Sequence, residues 1–330
     1  MRNFTFSVVF LTFTLGFLSQ AASAENPIRK SEDGFDWLIK TSLAPRHYNF
    51  KGTFIYYADG YIETSRVVHK VDETGEHERI EVLDGKSRIV FRNNDEMKCY
   101  LPDNKKIYTE KRWFRKFFPD LLPQPSKRIH DSYDIEIGKI QRVVGYNSQL
   151  VKLLPKDNLR YGYRLWIEIE SGLLLKVAVI DKDEIIEQFA FADVEIGQDI
   201  DTDVMDDGSV DFTDDWKTEE LSTYVLAEGE LNWHLGVLPE GFRKITEMRR
   251  SLMGKPMLVD HIVLSDELAS VSVFIEPVDK KTASPMPGFY SSRGAINIYV
   301  RELEDKKITT VGEVPLNTIK LIGDAVNLHP

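Results

Sequence analysis

Apolar and polar positions alternate along much of this chain. Over residues 164–170, Leu165, Ile167 and Ile169 alternate with Trp166, Glu168 and Glu170, which predicts a strand with one buried and one wet face. Ser171 and Gly172 turn the chain into an apolar run at 173–180. Asp181, Lys182 and Asp183 make the next turn, and residues 184–196 return. Hairpins in series predict an antiparallel sheet. Between residues 52 and 110, β-favouring stretches are punctuated by Asp59-Gly60, Thr74-Gly75, Asp84-Gly85, Asn93-Asn94 and Asp103-Asn104, the pattern of a meander. Further on, Val271, Val273 and Ile275 oppose Ser272, Phe274 and Glu276, and Ile296, Ile298 and Val300 oppose Asn297, Tyr299 and Arg301. These predict two more half-buried strands.

Helical spacing is rarer. Phe35, Trp37, Leu38 and Leu43, with Pro45 beyond, predict a short helix over residues 33–44 that the proline stops. Trp113, Phe114, Phe117 and Phe118 break the strand pattern at helical spacing before Pro119. Two readings stand for this aromatic face. It plugs a core, or it lies across the mouth of a curved sheet and encloses an apolar cavity able to take an acyl chain. Near the end, residues 315–326 predict a helix with proline in its first turn and Leu316, Ile319, Ile322 and Val326 on one face, packed across a sheet. Residues 278–294 carry Pro285, Met286, Pro287, Gly288, Phe289 and Tyr290, and read as a long loop that exposes apolar side chains unless something covers them.

The first residues differ from the rest. Arg2 is followed by an apolar core over residues 8–18 and by Ala22-Ser23-Ala24, so residues 1–24 read as a secretory signal peptide. The apolar stretch, interrupted by Thr12, Thr14 and Gly16, is short for a spanning helix, and the chain is expected not to span a membrane itself. No cysteine stands directly after the expected cut, so a mature chain starting at Glu25 is expected to carry no lipid. Between residues 199 and 215 there are eight aspartates and no lysine or arginine, read as an extended linker because like charges repel along the backbone. A calcium loop is the rival, but the register starting at Asp203 puts Gly208 sixth, Met205 third and Asp214 twelfth, and other registers fit worse. The expected division is a signal peptide at 1–24, a large domain at 25–198, an acidic linker at 199–220 and a small domain at 221–330.

A formal charge of −11, made one unit more negative by loss of Arg2, argues against nucleic acid as a partner. The one cysteine, Cys99, has no partner for a disulfide and reads as a small buried side chain. Seven histidines are scattered singly, without metal spacing, and no HExxH, GxSxG, SxxK or GxxxxGK occurs. No two glycines are separated by a single residue, which removes the dinucleotide fingerprint. Glu168 and Glu170 share a strand face and read as a solvated face rather than a catalytic pair. No catalytic residue, metal site or cofactor is assigned, and the expectation is a binding protein rather than an enzyme.

Several stretches carry a family resemblance. Residues 48–56 (Tyr-Asn-Phe-Lys-Gly-Thr-Phe-Ile-Tyr), Arg66 to His69, Leu83-Asp84-Gly85, and Cys99-Tyr100-Leu101-Pro102 resemble successive signatures of the MucB/RseB proteins. Residues 160–166 (Arg-Tyr-Gly-Tyr-Arg-Leu-Trp), Ser171-Gly172-Leu173 and Glu187-Gln188-Phe189 continue the series, as do residues 238–242, Ser265-Asp266, residues 268–276, Arg293-Gly294-Ala295 and residues 311–315. The loop around Ser291-Ser292 departs from it. The resemblance implies an α+β, mostly antiparallel β protein. Its N-terminal half-barrel is like those of the lipoprotein carriers LolA and LolB, with covering helices, and a smaller C-terminal antiparallel sheet carries a packed helix. It also implies a periplasmic negative regulator of the sigma-E envelope stress response. Such a protein binds the periplasmic region of a transmembrane anti-sigma factor, protects it from regulated proteolysis, and is relieved by lipid or lipopolysaccharide. A sensor of this kind needs two ligands whose binding free energies are coupled. We therefore expect Trp113, Phe114, Phe117 and Phe118 at a lipid cavity, Met286, Phe289, Tyr290 and Arg293 at the partner surface, and the acidic linker as hinge. The rivals are a periplasmic lipid or lipoprotein carrier, and a periplasmic hydrolase acting through an unrecognised carboxylate pair.

Overall fold

The computed structural model describes residues 34–111, 125–205, 215–227, 229–255, 257–278, 286–291 and 294–328. Valine and isoleucine are the commonest residues of its strands, β-branched side chains that fit a pleated, half-buried surface. The first sheet is built from β1 (Phe50–Ala58), β2 (Tyr61–Asp72), β3 (Gly75–Val82), β4 (Arg88–Asn93), β5 (Glu96–Leu101), β6 (Lys106–Lys111), β7 (Tyr133–Val143), β8 (Tyr146–Pro155), β9 (Gly162–Glu168), β10 (Leu174–Asp181), β11 (Glu184–Ile196) and β12 (Lys217–Leu221). Their order across the sheet is β12-β6-β5-β4-β3-β2-β1-β11-β10-β9-β8-β7. Every pairing is antiparallel except β12 on β6. The hairpins turn where the dipeptides predicted. Asp59 and Gly60 both take positive φ between β1 and β2, as a tight two-residue turn requires.

A second sheet follows, with β13 (Thr223–Val225), β14 (Trp233–Leu235), β15 (Arg243–Arg250), β16 (Val259–Ser265), β17 (Ser270–Pro277), β18 (Gly288–Ser291), β19 (Asn297–Leu303), β20 (Lys306–Gly312) and β21 (Val326–Leu328). Seven of these run in the order β13-β15-β16-β17-β20-β19-β18, while β14 and β21 pair as a separate ribbon. Helix α1 (Gly34–Leu43) buries Trp37 and Leu38 with Ile129, Tyr133 and Leu153 on one face of the first sheet. The chain leaves it through Pro45, whose carbonyl lies 2.6 Å from His69 Nε2, and the His69 ring stacks on Phe50. A single turn, α2 (Ile129–Ser132), precedes β7. Helix α3 (Leu316–Asp324) buries Ile319 and Ile322 against Val271, Val273, Ile275 and Ile308 of the second sheet. Among the described residues no helix is long and apolar enough to cross a membrane.

The fold is thus α+β and mostly antiparallel, with an open first sheet and a smaller second sheet carrying one helix, as the sequence predicted. Several local expectations change, and Val326, expected on the face of α3, stands in β21 beyond the end of the helix. Strand β9 is buried on both faces: Trp166 is 8% exposed because it packs on Leu150 and Ala178 while Leu165 and Ile167 face the main core. Glu168 is not solvated. Its carboxylate is buried and accepts the backbone N–H groups of Glu170 and Ser171 and the Ser171 hydroxyl, closing the turn into β10. On α3, Leu316 is 47% exposed, and the helix buries Thr318 and Gly323 instead, Thr318 donating to the Leu159 carbonyl at 2.7 Å. Residues 278–294 contain an edge strand, β18, because the backbone of 288–291 pairs with β19.

The acidic stretch lies against the first sheet at both ends. Lys70 donates to Thr202 Oγ1 at 2.8 Å and Arg79 to the Val204 carbonyl at 3.2 Å, and β12 then extends the sheet. Residues 206–214 lie outside the described residues.

His261, on β16, is stacked on Phe274 at 4.3 Å and buried, with neither ring nitrogen hydrogen-bonded among the described residues. Burial, helped by Arg250, pushes its pKa down to about 3. The unfolded imidazole binds a proton below pH 6.5 and the folded one does not, so stability is present above pH 6.5 and is lost as pH falls toward 3. His261→Phe is expected to be near neutral at pH 7, since it removes unpaired polar atoms. At pH 5 it should be more stable than the wild type by about 2 kcal/mol. Urea unfolding at the two pH values checks this, and a gap that does not widen on acidification overturns it.

Candidate functional site

The inner face of the first sheet presents Phe54 and Tyr56 from β1, Val90 from β4, Met97 and Cys99 from β5, Leu165 from β9, Val177 and Val179 from β10 and Phe189 from β11. Strands this far apart in one sheet wall a single hollow only if the sheet curls. They surround a cavity of about 460 Å³, within the range of roughly 300–1,000 Å³ typical of small-molecule sites. Phe189 tilts against Tyr56 at 4.7 Å and Phe54 at 6.4 Å, making an aromatic floor. Cys99 is buried there as a small side chain, as expected.

The remaining wall comes from the second sheet and its loops, through Met253, Leu268, Ile296 and Glu313. Leu268 and Ala295 are so deeply seated that they join the core of the first sheet. Three polar joints hold this arrangement. In the first, Arg160 Nη1 donates to Asp266 Oδ2 at 2.8 Å, and the two side chains are 1% and 0% exposed. The other guanidinium nitrogens reach both oxygens of Asp157 at 3.0 Å and the Glu240 carbonyl at 2.6 Å. Asp266 also accepts the Tyr133 hydroxyl at 3.2 Å and the backbone N–H groups of Leu268 and Ala269. Arg160 lies over the Phe242 ring at 5.3 Å.

At the second joint, Asp59 Oδ2 accepts the Gly294 N–H at 2.9 Å and Glu187 Oε2 the Ala295 N–H at 2.8 Å. A side chain at 294 is disfavoured: φ is +68°, and a Cβ would come 2.3 Å from Glu187 Oε2 and push that carboxylate aside. Burial pushes the Glu187 carboxyl up to about 7; the Ala295 hydrogen bond opposes this, and the neighbouring Glu313 and Asp59 charges add to it. The third joint is the ion pair of Arg250, on β15, with Glu110, on β6.

Of the residues expected at a lipid cavity, Trp113, Phe114, Phe117 and Phe118 lie outside the described residues. Of those expected at a partner surface, Met286, Phe289 and Tyr290 are brought together at β18. Met286 is 77% exposed, Phe289 and Tyr290 are also exposed, Phe289 leans on Tyr299 at 5.0 Å, and the Tyr290 hydroxyl donates to the Met286 carbonyl at 2.7 Å. Arg293 lies outside the described residues. Sequence reasoning assigned no role to Tyr163, Glu187 or Glu313 in the cavity wall, or to Arg160 and Asp266 at the joint. The available signal was position: each stands in one of the stretches that carry the family resemblance.

Residues 33–208 match the family model for the MucB/RseB N-terminal domain, and residues 227–327 the model for the MucB/RseB C-terminal domain. The sigma factor AlgU regulatory protein MucB of Pseudomonas aeruginosa is 28% identical over 316 residues, covering 92% of this chain and 93% of that protein. The sigma-E factor regulatory protein RseB of Escherichia coli K12 is 25% identical over 292 residues, covering 88% of this chain and 89% of that protein. The complex structure of Pseudomonas aeruginosa MucA/MucB contains a chain that superposes with a TM-score of 0.67 at 25% identity, covering 90% of this chain and 99% of that one.

Proposed function

Because the chain belongs to the MucB/RseB family, we propose that it is a periplasmic regulator that binds the periplasmic region of a transmembrane anti-sigma factor and shields it from regulated proteolysis. It acts by occupying surfaces rather than by making or breaking bonds. Lipid or lipopolysaccharide acts as the relieving signal, entered through an acyl chain in the cavity. The observation that carries this reading is that both sheets wall one hollow, with Leu268, Ile296 and Glu313 facing Phe54, Leu165 and Phe189. A chain lodged there touches both sheets, so its binding free energy depends on how they dock, and a partner that reads the docking is coupled to it. A carrier needs only the first sheet for its cavity; here the second completes the wall.

The partner surface is the β18 edge bearing Met286, Phe289 and Tyr290, with Arg293 beside it in sequence. An edge strand presents unpaired backbone groups to which an incoming strand adds, and exposed apolar side chains give that pairing specificity. Calorimetric titration of the mature chain with the periplasmic region of a single-pass inner-membrane anti-sigma factor is expected to show one-to-one binding. Changing Met286, Phe289 and Tyr290 together to serine is expected to weaken it on the order of a hundredfold, about 3 kcal/mol for two or three apolar anchors. No binding by the mature chain overturns the function; binding unchanged by the triple variant removes β18 from it.

A further inference from the structure

We propose that the cavity selects an amphiphile with a protonated primary amine headgroup, its tail along the apolar wall and its ammonium held by Glu187, Glu313 and the Tyr163 hydroxyl. The inference rests on the reading of the cavity as a lipid-sensing site and narrows it by headgroup charge.

The charges in the wall are unbalanced. Arg88 stands at the exposed rim and is paired with Glu63 at 3.5 Å, while Glu110 is paired with Arg250. Among the described residues no cation meets Glu187 or Glu313, and both line the cavity. Tyr163 lines it too, and its hydroxyl, on a side chain that is nearly all buried, has no hydrogen-bond partner among the described residues. Tyr163 and Glu187 stand in one row across β9, β10 and β11, each opposite Val179, which lines the hollow between them, and Glu313 lines the same hollow from the second sheet. An unpaired buried hydroxyl is costly and marks a place where something polar binds. Two carboxylates and a phenol oxygen accept the three N–H bonds of an ammonium. A phosphate or carboxylate in the same place meets like charge in a low-dielectric wall and is rejected.

An ammonium between the two carboxylates also favours ionised Glu187. Binding therefore releases a proton and tightens as pH rises through about 7, the value to which burial holds this carboxyl.

The test is calorimetric titration of the full mature chain, below micelle-forming concentrations, with decylamine, 1-decanol, decanoate and decyl phosphate. At pH 8 decylamine is expected to bind on the order of tenfold more tightly than decanol, and both anions more weakly than decanol. Tyr163→Phe is expected to reduce the preference for the amine, and the Glu187→Gln, Glu313→Gln double variant to collapse it. Equal binding of all four probes, or preference for an anion, overturns the headgroup assignment and leaves the cavity reading standing. A preference that persists in the double variant also overturns it, since the attraction then comes from the acidic surface as a whole. Failure of all four to bind overturns both.

Discussion

Arg160→Ala is expected to cost about 3–5 kcal/mol of folding stability, because it leaves a carboxylate sealed in the interior without its cation. Asp266 is completely buried, and the Arg160 guanidinium, at 2.8 Å, is the charge that compensates it. The arginine does more than neutralise. Its planar fork also bonds Asp157 and the Glu240 carbonyl and lies over Phe242, so one side chain ties the turn before β9 to the turns before β15 and β17. Lysine cannot replace it, since a point charge reaches one of these partners at a time. Asp266→Asn serves as the comparison. It keeps an oxygen for the Leu268 and Ala269 N–H groups while removing the buried charge, and Arg160 retains Asp157. Its cost is expected to be smaller, about 1–3 kcal/mol. Urea unfolding at pH 7, followed by far- and near-ultraviolet circular dichroism, measures both. An Arg160→Ala variant within about 1 kcal/mol of the wild type would mean that the pair is no more than a surface contact.

The same joint shows what the sequence could and could not reveal. Strands were legible because their signals are local: Asp59-Gly60 and Asp84-Gly85 announce hairpins through the backbone conformations their residues tolerate, and period-two alternation announces a half-buried face. Where a strand is buried on both sides the alternation misleads. Glu168 follows Trp166 on the nominally wet face of β9, yet the one caps a turn and the other packs on Leu150 and Ala178. Leu316 also departs from its spacing: it suits the helix face, but it is the first residue of α3 and is 47% exposed. The cavity was anticipated from an aromatic segment outside the described residues, whereas the walls that are described come from strands distant in sequence. Arg160 and Asp266 are 106 positions apart and Glu187 and Ala295 are 108 apart. No local pattern joins such pairs. Only the family resemblance touched all four, and it did so without saying what they do.

Glu187→Gln is expected to stabilise the protein by about 3 kcal/mol at pH 8 and by almost nothing at pH 4. The folded carboxyl titrates near 7 against 4.5 for the free side chain, chiefly because it is buried, with Glu313 and Asp59 adding to the shift. A folded pKa raised above the unfolded one means that the folded state holds its proton longer. The favourable contribution is therefore complete below pH 4.5, where both states are protonated, and is lost as pH rises through 7. Above that the fold must keep a carboxylate in the wall of an apolar cavity. Glutamine carries no charge at any pH, and its Oε1 can still accept the Ala295 N–H. The wild type should thus show a downward slope of stability between pH 4.5 and 7 that the variant lacks, and His261, whose contribution falls away on acidification, is unchanged between the two and cancels in the difference. Urea unfolding of the pair at pH 4, 6 and 8 reads the difference directly, and a gap that stays constant across this range sinks the assignment. The slope also bears on function. Glu187 holds the backbone at 295 while lining the cavity, so the free energy stored in its ionisation lies where the two sheets meet. Whatever neutralises that charge, a proton or a bound cation, is expected to tighten the docking of the two sheets.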